Sequence, residues 1–361
     1  MTPLFHSIRG NPVLWLLALV PLPLIGESLF PEAGSLLFVL SVVAIVPLAA
    51  LLSTATEQVA EKTGDAVGGL LNATLGNLTE LIIAFAALRA GEYMLVKASI
   101  AGAIVTNTLF MMGASFLIGG LRHHVQTFNA ANARFQIAML FLASFALMVP
   151  SAITAGDAQA VTQGLSLGIA ILLILTYALG LLFSLVTHRQ MFEGEAAAVH
   201  EGGGWPTSLA LAVLAVTTVL VALVSEIFVG SMEAAAGAMG LSPAFVGFVV
   251  VALVGAAAEM ASAFSAAAKD RLDLSVGIAF GSAVQIALFV APVLVLLSHF
   301  FGPAPMTLDF WPGAVMMMFI GVITAALVTN GGKSAWFIGV QMLVVYLIFA
   351  LTLYLAPGTA H

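Results

Sequence analysis

Long apolar runs recur along the chain, broken by short polar punctuation, and their length rather than any finer periodicity sets the fold class. A helix needs about 20 mostly apolar residues to cross the hydrocarbon core of a bilayer. Eleven segments meet this, at roughly 12–30, 35–54, 64–90, 95–121, 133–150, 164–187, 207–229, 242–268, 273–299, 310–329 and 334–356. The third, fourth, eighth and ninth are long and glycine-rich, which predicts bent or tilted helices. The N-terminal run MTPLFHSIRGNPVLWLLALVPLPLIG has one Arg before its apolar stretch, no small-residue cleavage site and several prolines. It reads as a retained first span.

Composition agrees. Of 361 residues 61% are hydrophobic and 7% charged, with 10 basic and 17 acidic side chains. A soluble domain would carry about a quarter of its residues as charges, so the chain belongs in a bilayer, as its mean hydropathy of +1.14 also says. A nucleic-acid binder would need a basic face. The absence of cysteine excludes disulfides, thiolate metal sites and cysteine catalysis.

An odd number of spans puts the termini on opposite sides. On the N-terminal side lie Arg9, Lys62, Arg122, Arg134, Arg189, Lys269, Arg271 and Lys333, against Arg89 and Lys97 on the other. Positive charge marks the cytoplasmic side, so the N-terminus is expected in the cytoplasm and the C-terminus outside. The only sizeable hydrophilic stretch, 188–206, contains Glu193, Glu195 and Glu201 and reads as a solvated cytoplasmic linker.

The chain also repeats itself. Residues 76–110 align without gaps on 255–289, a constant shift of 179, with ten of 35 positions identical. Apolar bias accounts for several identities, but not for placing Glu80 and Glu259, the two acids within the hydrophobic parts of these spans, in register. The copies lie five spans apart and so insert with opposite orientation. The expected architecture is an all-α membrane protein of eleven helices: a lead-in and first helix (1–34), a five-helix repeat (35–187), the linker (188–206) and an inverted five-helix repeat (207–361). Substrate sites in such folds lie near the midplane, where the repeats meet.

A carboxylate at that depth costs at least a few kcal/mol and is ordinarily functional; a protonated Glu bonding a neighbouring helix is the structural alternative. Each Glu follows a glycine by four residues, Gly76 and Gly255, and Asn72, Thr74, Asn77 and Thr79 make the first run unusually polar. Helices broken here would expose carbonyl oxygens to a protein-lined cavity. On the partner helices, Thr106, Asn107, Ser282 and Gln285 offer neutral oxygen donors, although such groups also bond helices together. Two carboxylates with amide and hydroxyl oxygens suit a hard cation such as Ca²⁺. One Ca²⁺ or two protons neutralises the pair, and burial generally disfavours ionised carboxylates, so metal and proton compete. A site neutral with either cargo crosses between inward- and outward-facing states, and an empty charged one does so with difficulty. This is a minimal cation/proton antiport mechanism.

Glu57 is expected at the cytoplasmic start of the third span and Glu226 at the outer end of the seventh, as gate or relay groups or as interfacial caps. Glu61, Asp65, Glu92, Glu233, Asp270 and Asp273 read as loop charges, and His123 and His124 as interfacial. No H-E-x-x-H motif or transmembrane Asp pair suggests a membrane enzyme. A channel could use the same acids, but inverted repeats favour a carrier.

The runs LLNATLGNLTELIIAFAALRAGE and GFVVVALVGAAAEMASAFSAAAKDRLDLSVGIAFGSAVQIALFVAPVLVL resemble the calcium/proton exchangers (CAX) of the calcium/cation antiporter superfamily. The resemblance implies export of cytosolic Ca²⁺ against a proton gradient, with Ca²⁺ and protons as substrates and no cofactor. It also implies that Glu80 and Glu259 bind Ca²⁺ and protons alternately, with Asn107 and Gln285 lining the path. A prokaryotic cytoplasmic membrane is the expected location. The chain departs from the family pattern at Ala256 and Met260, where Asn and His are common. The proline of the sodium-coupled relatives' second motif is absent, which weakens sodium/calcium exchange as a reading, while exchange of Na⁺ or K⁺ for protons stays open.

Overall fold

The computed structural model describes residues 2–63, 65–153, 159–192 and 204–355. Glu193, Glu195 and Glu201 of the linker lie outside the described residues, as does the side chain of Asp65.

After a short helix, Thr2–Gly10, come the spanning elements α1 (Pro12–Leu29), α2 (Gly34–Ala60), α3 (Val67–Ala90), α4 (Tyr93–His123), α5 (Ala130–Ala152), α6 (Val161–Thr187) and α7 (Thr207–Met239). They continue as α8 (Pro243–Gly255 and Ala257–Ala268, meeting at 58°), α9 (Leu272–Phe301), α10 (Pro312–Thr329) and α11 (Trp336–Leu355). Counting the bent pair as one, the eleven expected spans are present among the described residues. The sequence pattern did not predict a small antiparallel ribbon, β1 (Val125–Thr127) with β2 (Lys333–Ala335).

Two helices outrun the apolar segments that announced them. α2 continues to Ala60 and α7 to Met239, where Gly240 closes it at φ 68°. Helical hydrogen bonding does not stop at the edge of an apolar run, and no Pro or Gly follows Thr54 to end α2 before Ala60. Glu57 therefore lies on the last turns of α2 rather than at the start of α3, and Glu226 lies within α7 with more than three further turns beyond it.

α2 and α7 pack antiparallel along their length, with the Phe38 and Phe228 rings stacked at 5.0 Å. The first halves of α4 and α8 cross in close contact. Small residues let backbones approach this way in membranes: a Cβ on Gly247 would stand 2.6 Å from Ala98 Cβ, and one on Gly102 would collide with the Phe248 backbone. The inverted counterparts, Asp65–Leu75 and Leu272–Gln285, make no comparable contact among the described residues; Asp65–Leu75 leans on α2 and the end of α6 instead. The bundle is thus closed more tightly at one end than at the other.

Connections at the two ends are clasped across the repeats. At one, His123 Nε2 lies 3.1 Å from the Ala268 carbonyl, Gln126 donates to Asp270 at 2.8 Å, and the Asn129 amide donates to Asp273 at 2.9 Å. At the other, Lys97 pairs with Asp309 at 2.7 Å. There the amides of Met306, Leu308 and Phe310 donate to the hydroxyls of Ser298, Ser166 and Ser151. These serines satisfy three amides of an irregular loop set among the helix ends.

Candidate functional site

The site is built on two helix breaks related by the 179-residue shift. α3 is interrupted at Gly76–Asn77 and resumes at Leu78; α8 is interrupted at Ala256 and resumes at Ala257. Glu80 and Glu259 each occupy the first turn of the resumed helix, the third residue after the break. Free amides and the positive end of the helix dipole meet there, so an anionic side chain is placed where backbone electrostatics favour it.

A break in a bilayer must re-satisfy the groups it frees. The Ala73 carbonyl, whose helical partner would be the amide of Asn77, accepts from the Tyr177 hydroxyl of α6 at 2.6 Å. Tyr177 was not singled out in the sequence; a tyrosine in the middle of an otherwise apolar span was the available signal.

Facing the breaks, α4 and α9 widen into π-helical turns at Thr106–Met111 and Ile286–Val290, again in matching places. Such turns insert one extra residue per turn and recur at functional sites. Asn107 on the first turn, Ser282 and Gln285 just ahead of the second, and Asn77 at the α3 break form a network that joins the repeats. Ser282 donates to Asn77 Oδ1 at 2.6 Å, Asn107 donates to Ser282 at 2.8 Å, and Asn77 donates to Gln285 Oε1. Thr106 stands apart from it, donating to Tyr346 of α11 at 3.3 Å.

The acids adjoin this network without being consumed by it. Both carboxylate oxygens of Glu80, Oε2 of Glu259 and Oδ1 of Asn107 are buried with no hydrogen-bond partner. Buried polar atoms are ordinarily paired, so four oxygens left open together near the repeat interface make this a candidate ligand site. Glycine makes the room: a Cβ on Gly255 would lie 2.9 Å from Glu80 Cγ, and one on Gly76 would lie 3.0 Å from Gln285 Oε1. No group of three or more His, Asp or Glu side chains converges among the described residues. A Ca²⁺ ion here would complete its six to eight ligands with amides, hydroxyls, carbonyls and water. The donor network is one-sided, because Ala256 stands where symmetry with Asn77 would put an amide.

The profile of the sodium/calcium exchanger protein family matches residues 34–186 and 209–355. The chain belongs to that family. It is 39% identical over 359 residues to the Ca(2+)/H(+) antiporter of Aphanothece halophytica, covering 95% of this chain and 96% of that one. It is 40% identical over 340 residues to the Ca(2+)/H(+) antiporter ChaA of Bacillus subtilis (strain 168), covering 93% and 96%. Among solved structures, native YfkE superposes with a TM-score of 0.82 at 37% identity, covering 94% of this chain and 98% of that one.

In this exchanger-family protein the two outlying acids part ways. Glu57 is exposed at the end of α2 but within electrostatic reach of Glu259, as is Glu80. Glu226 is remote from that cluster and pairs with Arg89 at 3.0 Å, both side chains more than half exposed. Lys97 and Thr307 hydrogen-bond Asp309 in the loop before α10; burial opposes its ionisation, but these bonds prevail and hold the carboxyl below its usual range. Glu92, between α3 and α4, is pushed upward by burial and then by the charge of Glu233.

Proposed function

We propose that the protein is a secondary antiporter that exports cytosolic Ca²⁺ in exchange for external protons. The observation that carries this reading is the pair Glu80 and Glu259, symmetry-related, at broken-helix N-termini, with carboxylate oxygens unpartnered beside an oxygen-only network. In that reading the two acids bind Ca²⁺ or protons in turn. Asn77, Asn107, Ser282 and Gln285 line the path, Thr106 steadies α4 through Tyr346, and Gly76 and Gly255 keep the space open. Glu57, beside Glu259, collects cations at the cytoplasmic mouth, and Glu226 closes the outer one with Arg89. The names of the relatives in Aphanothece and Bacillus support calcium and protons as the substrates.

The chain works as a first helix with its lead-in (1–34), two inverted five-helix halves (35–187 and 207–361) and a cytoplasmic linker (188–206). The positive-inside count supports a cytoplasmic N-terminus. With that orientation the tight α4–α8 crossing is the outer barrier, and the looser contact between the first halves of α3 and α9 gives the cytoplasm access: an inward-facing state.

Radiolabelled Ca²⁺ uptake into proteoliposomes under an imposed pH gradient tests the proposal. Uptake is expected to collapse with the gradient and to be lost in Glu80→Gln and Glu259→Gln. Uptake indifferent to both changes sinks it, and proton-coupled Na⁺ or K⁺ flux without Ca²⁺ flux would reassign the substrate.

A further inference from the structure

α1 is the most loosely held span: its apolar window is only 17% buried, against 56% for α2. The cause is local. Pro12 opens a 3-10 stretch to Leu19, Pro21 and Pro23 follow, and the helix resumes as an α-helix only at Pro21. A helix of changing pitch does not lie flush against the α2–α7 pair, whose own α2 carries Pro47 within the helix. Its cytoplasmic end is anchored, because Leu14 is buried with Ala50, Leu51 and Ala55 of α2 and with Trp205. Beyond that anchor the surfaces part and leave a cavity of about 580 Å³.

Its walls include Leu4 of the short N-terminal helix, Leu17 and Leu24 of α1, Leu48 and Leu51 of α2, and a stripe of α7 through Ala212, Val216 and Leu220. Among the described residues that line it, Thr217 alone has a polar side chain. Water does not stably fill an apolar space of this kind, and an empty one forfeits dispersion contacts along every wall. Every span involved crosses the hydrocarbon core, and the rim residues Ile25 and Val216 are exposed to it. The available medium is hydrocarbon.

We propose that this cavity is a binding site for one acyl chain of a membrane phospholipid, which wedges α1 against the α2–α7 pair. The wedge lies behind the wall of the ion site: Leu51 shares its hydrophobic cluster with Ala258, the neighbour of Glu259. A resident chain therefore sets how freely α2 and α7 shift beside that site, and Ca²⁺ flux becomes sensitive to its presence.

Two alanines of α7 separate this from general lipid contact. Ala212 lines the cavity, whereas Ala215, also exposed on the same helix, does not. Native mass spectrometry of the full chain purified in mild detergent is expected to retain one phospholipid per protein in the wild type and in Ala215→Trp, and none in Ala212→Trp. A phospholipid with a photoactivatable acyl chain is expected to label 17–25 and 212–220 at least fivefold more than the exposed face of α11 around Leu347 and Leu351. The labelling uses wild-type protein and so stands even if Ala212→Trp misfolds. The proposal is overturned if no lipid is retained, if Ala212→Trp retains it equally, if labelling is uniform, or if cross-links show a second copy of the chain seated there.

Discussion

Replacing Gly255 with alanine adds one methyl group at a tightly packed point of the proposed ion site. Its Cβ would stand 2.9 Å from Glu80 Cγ, 3.3 Å from Cδ and 3.4 Å from Oε1. Carbon atoms in contact prefer about 3.5–4.0 Å, so the Glu80 side chain must retreat by about 0.6–1.1 Å. Backbone strain does not enter, since Gly255 is not among the glycines with positive φ. A misplacement of about 1 Å at a reacting group costs up to about 100-fold, so Ca²⁺ transport efficiency should fall about 10- to 100-fold, or about 1.4–2.7 kcal/mol. Initial rates of Ca²⁺ uptake at a fixed pH gradient measure this. Gly277→Ala supplies the control, because a Cβ there meets nothing within 4 Å and should leave the rate unchanged. A Gly255→Ala protein that folds and transports within twofold of wild type would refute the claim that this glycine positions the Glu80 carboxylate.

Asn77→Ala removes both bonds through which Asn77 holds Ser282 and Gln285; at about 1 kcal/mol each, thermal unfolding in detergent should register a loss of about 2 kcal/mol and Ca²⁺ KM should rise. Lys97→Met breaks a pair whose side chains are 15% and 29% exposed, between the surface and buried limits, so a loss of about 1–3 kcal/mol is expected in the same assay. Because the fold favours ionised Asp309, that stabilisation is complete above the usual carboxylate range and is lost as pH falls through the lowered value; an acid titration of stability should show this step in wild type and not in Lys97→Met. Arg89→Ala, by contrast, removes an exposed pair, and a stability change above about 1 kcal/mol would contradict its assignment as a solvent-screened contact.

The parts of the fold legible in the sequence are those written in composition and in symmetry. A bilayer requires long apolar helices whatever their neighbours, so eleven spans followed from run length alone. Glu80 and Glu259 stood out because a charge at depth is costly and because a single shift of 179 superposed them. Glycines four residues ahead of each acid indicated where the helices would break. Helix ends were less visible, since the hydrogen-bond ladder of α7 runs past its apolar stretch, taking Glu233 into the helix and leaving Glu226 well short of its end.

Only the tertiary structure decided which side chains meet. Asn77 reaches Gln285 across 208 residues of sequence, and no local pattern could tell that contact from the one that turns Thr106 toward Tyr346. Tyr177 became part of the site only when a break 100 residues away freed a carbonyl beside it. The unequal packing of the two inverted halves was also beyond reach, because the shared features of the two repeats are compatible with either arrangement and the packing energy of the whole bundle selects between them. What the sequence determined was two costly carboxylates at depth; the fold determined where they stand, at the N-termini of broken helices, in glycine-made space, beside an amide–hydroxyl network that leaves their oxygens open.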